Sequence, residues 1–217
     1  MRGTLTKPTA IGRWTGAAVT VALLLGFLNH ASAQSSTRSA AELMDAVMWN
    51  REPIGGAFAL TDHTGRTRTD ADFSSQLTLV YFGFTYCPDI CPTDLQAIGL
   101  AIDQLGADGK SIQPLFITLD PERDTAEHLA QYVTLFHPRL IGLTGSADAI
   151  RQAANAYRVY YAKVTTGTKR DDYTIDHSAF IYLMDRDGKY LGFFPPGTSA
   201  EKMAGMIRAH LKPGGER

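Results

Sequence analysis

An apolar run, Leu77-Thr78-Leu79-Val80-Tyr81-Phe82-Gly83-Phe84, stops abruptly at Tyr86-Cys87-Pro88-Asp89-Ile90-Cys91-Pro92. The run is apolar at consecutive rather than alternating positions. It therefore predicts a strand buried on both faces, at the centre of a sheet. Just beyond it, Leu95, Ile98, Ile102 and Leu105 recur at helical spacing and predict an amphipathic helix. Pro92 fits the first turn of that helix, where a missing N–H costs nothing, and Gly106 and Gly109 end it. The only two cysteines of the chain thus fall where a central strand passes into a helix.

Two thiols four positions apart can hold a soft metal, cycle between dithiol and disulfide, or cross-link a turn. The third use is weak. A stabilising bridge removes entropy from the unfolded chain in proportion to the logarithm of the loop it closes, and Cys87 and Cys91 close almost none. Pro88 and Pro92 stiffen the segment between and around them.

The N-terminus points to export. Arg2, Lys7 and Arg13 precede an apolar run from about Ala17 to Leu28, and Ala31-Ser32-Ala33 follows. Basic, then apolar, then small residues is the layout of a secretory signal peptide over residues 1–33. An uncleaved anchor is the alternative, but the run is shorter than the roughly 20 residues a spanning helix needs. Without residues 1–33 the chain carries 18 basic and 22 acidic residues. That balance excludes a nucleic-acid partner, which demands a basic face. About 184 residues remain, enough for one domain with a full core. The expected division is a linker over 34–53, a domain over 54–211 and a tail over 212–217.

Strand and helix alternate along that domain. Phe58–Leu60 and Arg66–Thr69 predict a small hairpin around Asp62-His63-Thr64-Gly65, with His63 a turn residue. Ile112–Leu119 reads as the next strand. Asp124 with Glu127 resembles a capping pair for a helix carrying Leu129, Val133 and Phe136, with His128 on its wet side. Leu140–Leu143 is a short strand, and Ser146 caps a helix reaching about Tyr157. Val159–Val164 is strand-like and Thr165–Asp172 is a polar loop. Ser178–Met184 and Lys189–Phe194 flank the hairpin turn Asp185-Arg186-Asp187-Gly188. Thr198 and Glu201 form a capping box for a last helix with Met203, Met206, Ile207 and His210, whose methionines read as core. The pattern is an α/β layered fold, with the cysteines where a helix N-terminus favours thiolates.

Three blocks now carry a resemblance. Tyr81 through Pro92, Asp120-Pro121-Glu122-Arg123-Asp124-Thr125 and Asp176-His177-Ser178 are similar, in order and spacing, to the signature of the SCO/SenC family. The resemblance covers about Ile54 to Leu211. It implies a thioredoxin-like fold: a central mixed β-sheet flanked by helices, with an N-terminal hairpin and a β-hairpin before the last helix. It implies an exported, periplasmic copper chaperone that delivers copper to the binuclear copper centre of cytochrome c oxidase during assembly. The partner implied is the copper-bearing subunit of the oxidase, with another periplasmic copper chaperone or a thiol reductant as further candidates. Membrane contact is expected only if the N-terminal segment stays uncleaved.

The resemblance also implies the metal ligands Cys87, Cys91 and His177, holding one copper per chain. The donor chemistry agrees. Soft thiolates select Cu(I) and imidazole suits either copper oxidation state, whereas a structural zinc site wants a fourth protein ligand. A ligating imidazole needs a supporting partner, for which Asp176 is the candidate. Asp120, at a strand end, is either a turn acid or a group tuning the site from the same sheet edge. Arg123 and Asp124 read as local pairing and capping. The alternative function is a periplasmic thiol–disulfide oxidoreductase acting through Cys87 and Cys91 as a redox-active pair. Against it stand the three residues between the cysteines, where thioredoxin-type enzymes have two, and a His at 177 where those enzymes carry a proline.

Overall fold

The computed structural model describes residues 53–211, and the expected leader, most of the linker and the tail lie outside the described residues. The described chain runs β1 (Ala59–Asp62), β2 (Thr67–Thr69), β3 (Leu77–Gly83), α1 (Ile90–Leu105), β4 (Ile112–Thr118), α2 (Ala126–Val133), β5 (Ile141–Thr144), α3 (Ala147–Ala156), β6 (Tyr161–Thr165), β7 (Tyr173–His177), β8 (Ile181–Met184), β9 (Tyr190–Phe194) and α4 (Ala200–Leu211). Seven strands form one mixed sheet in the order β2-β1-β5-β4-β3-β8-β9. β3 pairs parallel with β4 and antiparallel with β8, and β4 pairs parallel with β5. This is the thioredoxin-like α/β fold that the resemblance implies.

Every residue of β3 is buried, because helices cover both faces of the sheet at its centre. Tyr81 stacks on Phe116 of β4, and Phe116 meets Tyr132 of α2. On the opposite face Phe82 and Tyr182 pack against Tyr157, the residue that ends α3. The side chains of successive strand residues alternate between faces, so Tyr81 and Phe82 bind different layers together. α4 lies along α1, with Arg208 donating to the Gln104 carbonyl at 2.6 Å.

The hairpin turns form where the local chemistry demands. Asp62 accepts from Thr64 and Arg66 N–H groups and from Arg68, which folds β1 onto β2. His63 lies in that turn and ties it to β5, accepting from the Gly142 N–H at 3.1 Å. Asp185 does the same for the β8–β9 turn, accepting from Asp187 and Lys189 N–H groups, with Gly188 at φ +75°.

Four expectations need correction. Thr125, not Asp124, caps α2, accepting from the His128 N–H. His128 is half-buried and turns towards the loop after β3 rather than to water. Ser199, not Thr198, accepts from the first turn of α4, at Lys202, while the Thr198 hydroxyl donates to the Pro195 carbonyl. Met203 is buried, but Met206 is 47% exposed. The stretch before β8 also holds a strand the periodicity did not reveal. β7 pairs with β6 in a separate two-stranded sheet, from Tyr161 opposite His177 to Thr165 opposite Tyr173. Ile175 is the one buried residue of that strand, so no alternating apolar pattern marks it.

Candidate metal centre

β3, α1 and β7 supply the site. Gly83 ends β3, and the chain then turns so that the Cys87 N–H donates to the Phe84 carbonyl at 3.2 Å. Cys91 is the second residue of α1, and its N–H donates to the Cys87 sulfur at 3.4 Å. The first N–H groups of a helix have no partner within it. Asp89 occupies the N-cap position without a side-chain cap bond, so the sulfur of Cys87 serves as an acceptor for the helix start. A helix N-terminus favours negative charge at that point.

The two thiols, both free, are pushed apart electrostatically. The Cys91 thiol beside it, assisted by the Asp89 and Cys91 N–H groups, lowers Cys87 to about 4. Cys91 moves up instead, because the Cys87 sulfur takes its proton's hydrogen bond and because it is fully buried. The pair thus shares one proton, with the charge on the more accessible sulfur.

His177 ends β7. Its Nε2 lies 3.6 Å from Cys91 Sγ, and its Nδ1 lies 3.2 Å from the Ser178 carbonyl oxygen. A carbonyl only accepts, so this contact favours a proton on Nδ1 and leaves the Nε2 lone pair facing the sulfurs. The ring stands edge-on to Phe84, with centroids 5.9 Å apart. The ligand atoms of Cys87, Cys91 and His177 all lie within 4.8 Å of one another. Among the described residues, this cluster of His, Cys and acidic side chains could hold a metal ion. Two sulfurs and one imidazole nitrogen fit Cu(I), and fall one short of a closed zinc site.

The expected supporting acids stand elsewhere. Asp176 is exposed and pairs across the ladder with Ala162. Neighbours in a strand point to opposite faces, so Asp176 cannot face the ring beside it, and the Ser178 carbonyl takes that place. Asp120 is fully buried; its carboxylate accepts from the Tyr173 hydroxyl at 2.8 Å and from Arg123 Nε. Its reach is to the strand that carries His177 rather than to the ring.

Several residues around the site escaped sequence reading. Asp124, fully buried, accepts from the Thr85 N–H at 3.0 Å and the Thr85 and Thr118 hydroxyls at 2.6 Å each. Burial pushes its carboxyl up. Those bonds pin the chain two residues before Cys87. Asp94, also fully buried, accepts from the Gly197 N–H at 2.9 Å and stands with Tyr81 behind the Cys91 thiol. Burial raises both groups. Gly83 is required by proximity: a Cβ there would lie 2.8 Å from Cys91 Sγ. The Asp120–Thr125 block could have flagged Asp124, but capping is the commoner use of an acid before a helix.

Comparison with known proteins places the chain in a family. The SCO1/SenC family model matches residues 47–212. The mitochondrial SCO2 homolog of Bos taurus is 49% identical over 160 residues, covering 72% of this chain and 59% of that protein. The mitochondrial SCO1 homolog of Homo sapiens is 37% identical over 220 residues, covering 97% of this chain and 71% of that protein. The structure of Bradyrhizobium japonicum ScoI with copper bound superposes with a TM-score of 0.66 at 42% identity, covering 71% of this chain and 98% of that one. The chain thus spans less than two thirds of the bovine relative's length. Among the described residues no helix is long and apolar enough to cross a membrane. With a matched domain, a copper-bound structural relative and two thiols facing an imidazole, this chain belongs to the SCO1/SenC family.

Proposed function

We propose that this chain is an exported copper chaperone that loads the binuclear copper centre of cytochrome c oxidase during its assembly. The observation that carries the reading is the convergence of Cys87, Cys91 and the His177 Nε2 within 4.8 Å. Copper is cargo here rather than a resident cofactor. A ligand set of three suits that role, because it leaves one side open to an incoming ligand of the acceptor. Cys87 is half-exposed and Cys91 is buried, so Cys87 is the ligand through which cargo enters and leaves. Residues 1–33 act as the export signal, residues 54–211 form the copper domain, and the acceptor is the copper-bearing subunit of the oxidase in the periplasm.

A second reading has its own support. The lowered Cys87 thiol is what a thiol–disulfide reductant of acceptor cysteines requires. One experiment separates the two. The reduced, copper-loaded full chain is mixed with the metal-free, reduced copper domain of the oxidase. Loss of copper from two equivalents of chaperone, with two copper ions gained per acceptor, is expected. Repeating the mixture with an oxidised acceptor and copper-free chaperone tests the alternative. Reduction of the acceptor there, with no copper passed in the first mixture, overturns the chaperone reading.

A further inference from the structure

We propose that Arg123 is the positioning residue of this metal centre, clamping the loop that carries the cysteines to the hairpin that carries His177. The inference rests on the copper-site reading above. β6 and β7 pair with each other and with no strand of the main sheet. Among the described residues no ladder of hydrogen bonds ties β7 itself to the main sheet; the ladder nearest to His177, between β3 and β8, starts only at Ile181. Tyr86, the residue before Cys87, is 56% exposed, so burial does not hold it either.

Arg123 touches both parts. Its guanidinium carbon lies 4.6 Å from the ring centroid of Tyr86 and 3.8 Å from that of Tyr173, the first residue of β7. Its Nη1 donates to the Tyr173 carbonyl at 3.2 Å, and its Nε donates to Asp120. Asp120 accepts in turn from the Tyr173 hydroxyl. The side chain is only 15% exposed, where a cation–π contact is stronger than at an open surface. Lys163 of β6 also lies 4.4 Å from the Tyr173 ring centroid and pairs with Glu122 at 2.8 Å. A planar fork can bond Asp120 and the Tyr173 carbonyl in its plane while meeting rings with its faces; an ammonium cannot do both.

The clamp acts on one ligand of three. Two thiolates alone can keep Cu(I), though less tightly than with the imidazole, whereas Cu(II), the poorer match to soft sulfur, depends more on the nitrogen ligand. Loosening the clamp should leave the cysteines able to take Cu(I) and release the imidazole from the Cu(II) site.

The test compares the full chain with Arg123→Lys, Tyr86→Leu and His177→Ala. Cu(I) stoichiometry, the Cu(II) electron paramagnetic resonance spectrum and amide hydrogen exchange of the metal-free protein are measured. Arg123→Lys and Tyr86→Leu are expected to keep one Cu(I) and to shift the Cu(II) spectrum towards that of His177→Ala. Exchange at residues 173–177 should speed up by about tenfold or more in Arg123→Lys. Wild-type spectra and wild-type exchange in both folded variants overturn the proposal. If the unaltered chain takes up no copper, the chaperone reading fails, and the exchange of the metal-free Arg123→Lys protein still decides the clamp. Should Arg123→Lys fail to fold, Tyr86→Leu, altered at an exposed ring, decides it through the spectrum.

Discussion

Cys91 Sγ and His177 Nε2 lie 3.6 Å apart although 86 positions of chain separate them. The contact joins the first turn of helix α1 to the end of β7, a strand of the separate two-stranded sheet. His177 is held for it from behind by the Ser178 carbonyl and from the side by Phe84. The centre is therefore a tertiary object with one local half, the cysteine pair, and one distant half, the imidazole.

Removing the distant half should weaken binding without abolishing it. His177→Ala is expected to retain Cu(I) on the two sulfurs, with affinity reduced by more than the roughly 10-fold that loss of a supporting partner costs a metal site. Cys87→Ser or Cys91→Ser should lose nearly all binding. Competition against a Cu(I) chelator measures both. Unchanged affinity in His177→Ala would discard the imidazole as a ligand.

The cysteines should differ in reactivity with pH. Cys87 is lowered to about 4 from 9.0, so its thiolate persists at every pH above that value. Alkylation of the reduced, metal-free protein should label Cys87 at nearly constant rate from about pH 8 to pH 5, whereas an ordinary cysteine slows about tenfold per unit over that range. Cys91, buried and shifted up, should stay unlabelled. Ionisation of Cys87 favours the folded state fully above its unfolded value of 9.0, and that contribution is lost as the pH falls through about 4. Peptide mapping of the labelled protein reads the two sites separately, and equal labelling of Cys87 and Cys91 would refute the asymmetry.

Gly83→Ala should damage both fold and site. The added Cβ would lie 2.8 Å from Cys91 Sγ, 3.0 Å from Phe116 and 3.2 Å from Tyr81. All three neighbours are fully buried, so none can swing aside. Overpacking of this kind costs about 1–3 kcal/mol. Urea unfolding should show that loss, together with reduced copper uptake, because the displaced atom belongs to the proposed copper site. A variant as stable as the parent would show that the strand end is looser than these distances imply.

Asp124→Asn should loosen the cysteine loop. The carboxylate accepts from Thr85 twice and from Thr118, and an amide offers one accepting oxygen in place of two. Leaving a buried donor unpaired costs about 1–3 kcal/mol. Unfolding measurements should find that loss, with faster amide exchange at Thr85. Retention of full stability would mean that the amide reorients to satisfy the same donors.

Much of this was legible in the chain because the signals were local. Leu77–Phe84 reads as a buried strand from its composition, and the Cys91 helix from its periodicity and Pro92. Asp185 to Gly188 specify their turn through bonds spanning four positions. Where a side chain works across the fold, local rules misled. Asp124 precedes a helix and reads as its cap, yet it is spent on Thr85 and Thr118. Asp176 neighbours His177 in sequence and so points the other way in a strand. Arg123 reads as a local pairing residue, and only the approach of β7 turns it into a bridge between two rings.

The sequence by itself determined the central strand, the thiolate-favouring start of α1 and, through three spaced blocks, the family. Those follow from periodicity, from the orphan N–H groups of a helix and from residue identity. The tertiary structure decided which imidazole nitrogen faces the sulfurs, which of the two cysteines carries the charge and what holds a detached hairpin beside them. Each of these depends on distances of a few ångströms between residues tens of positions apart. Only the packing of α1 and the two sheets, with the side chains between them, sets such distances.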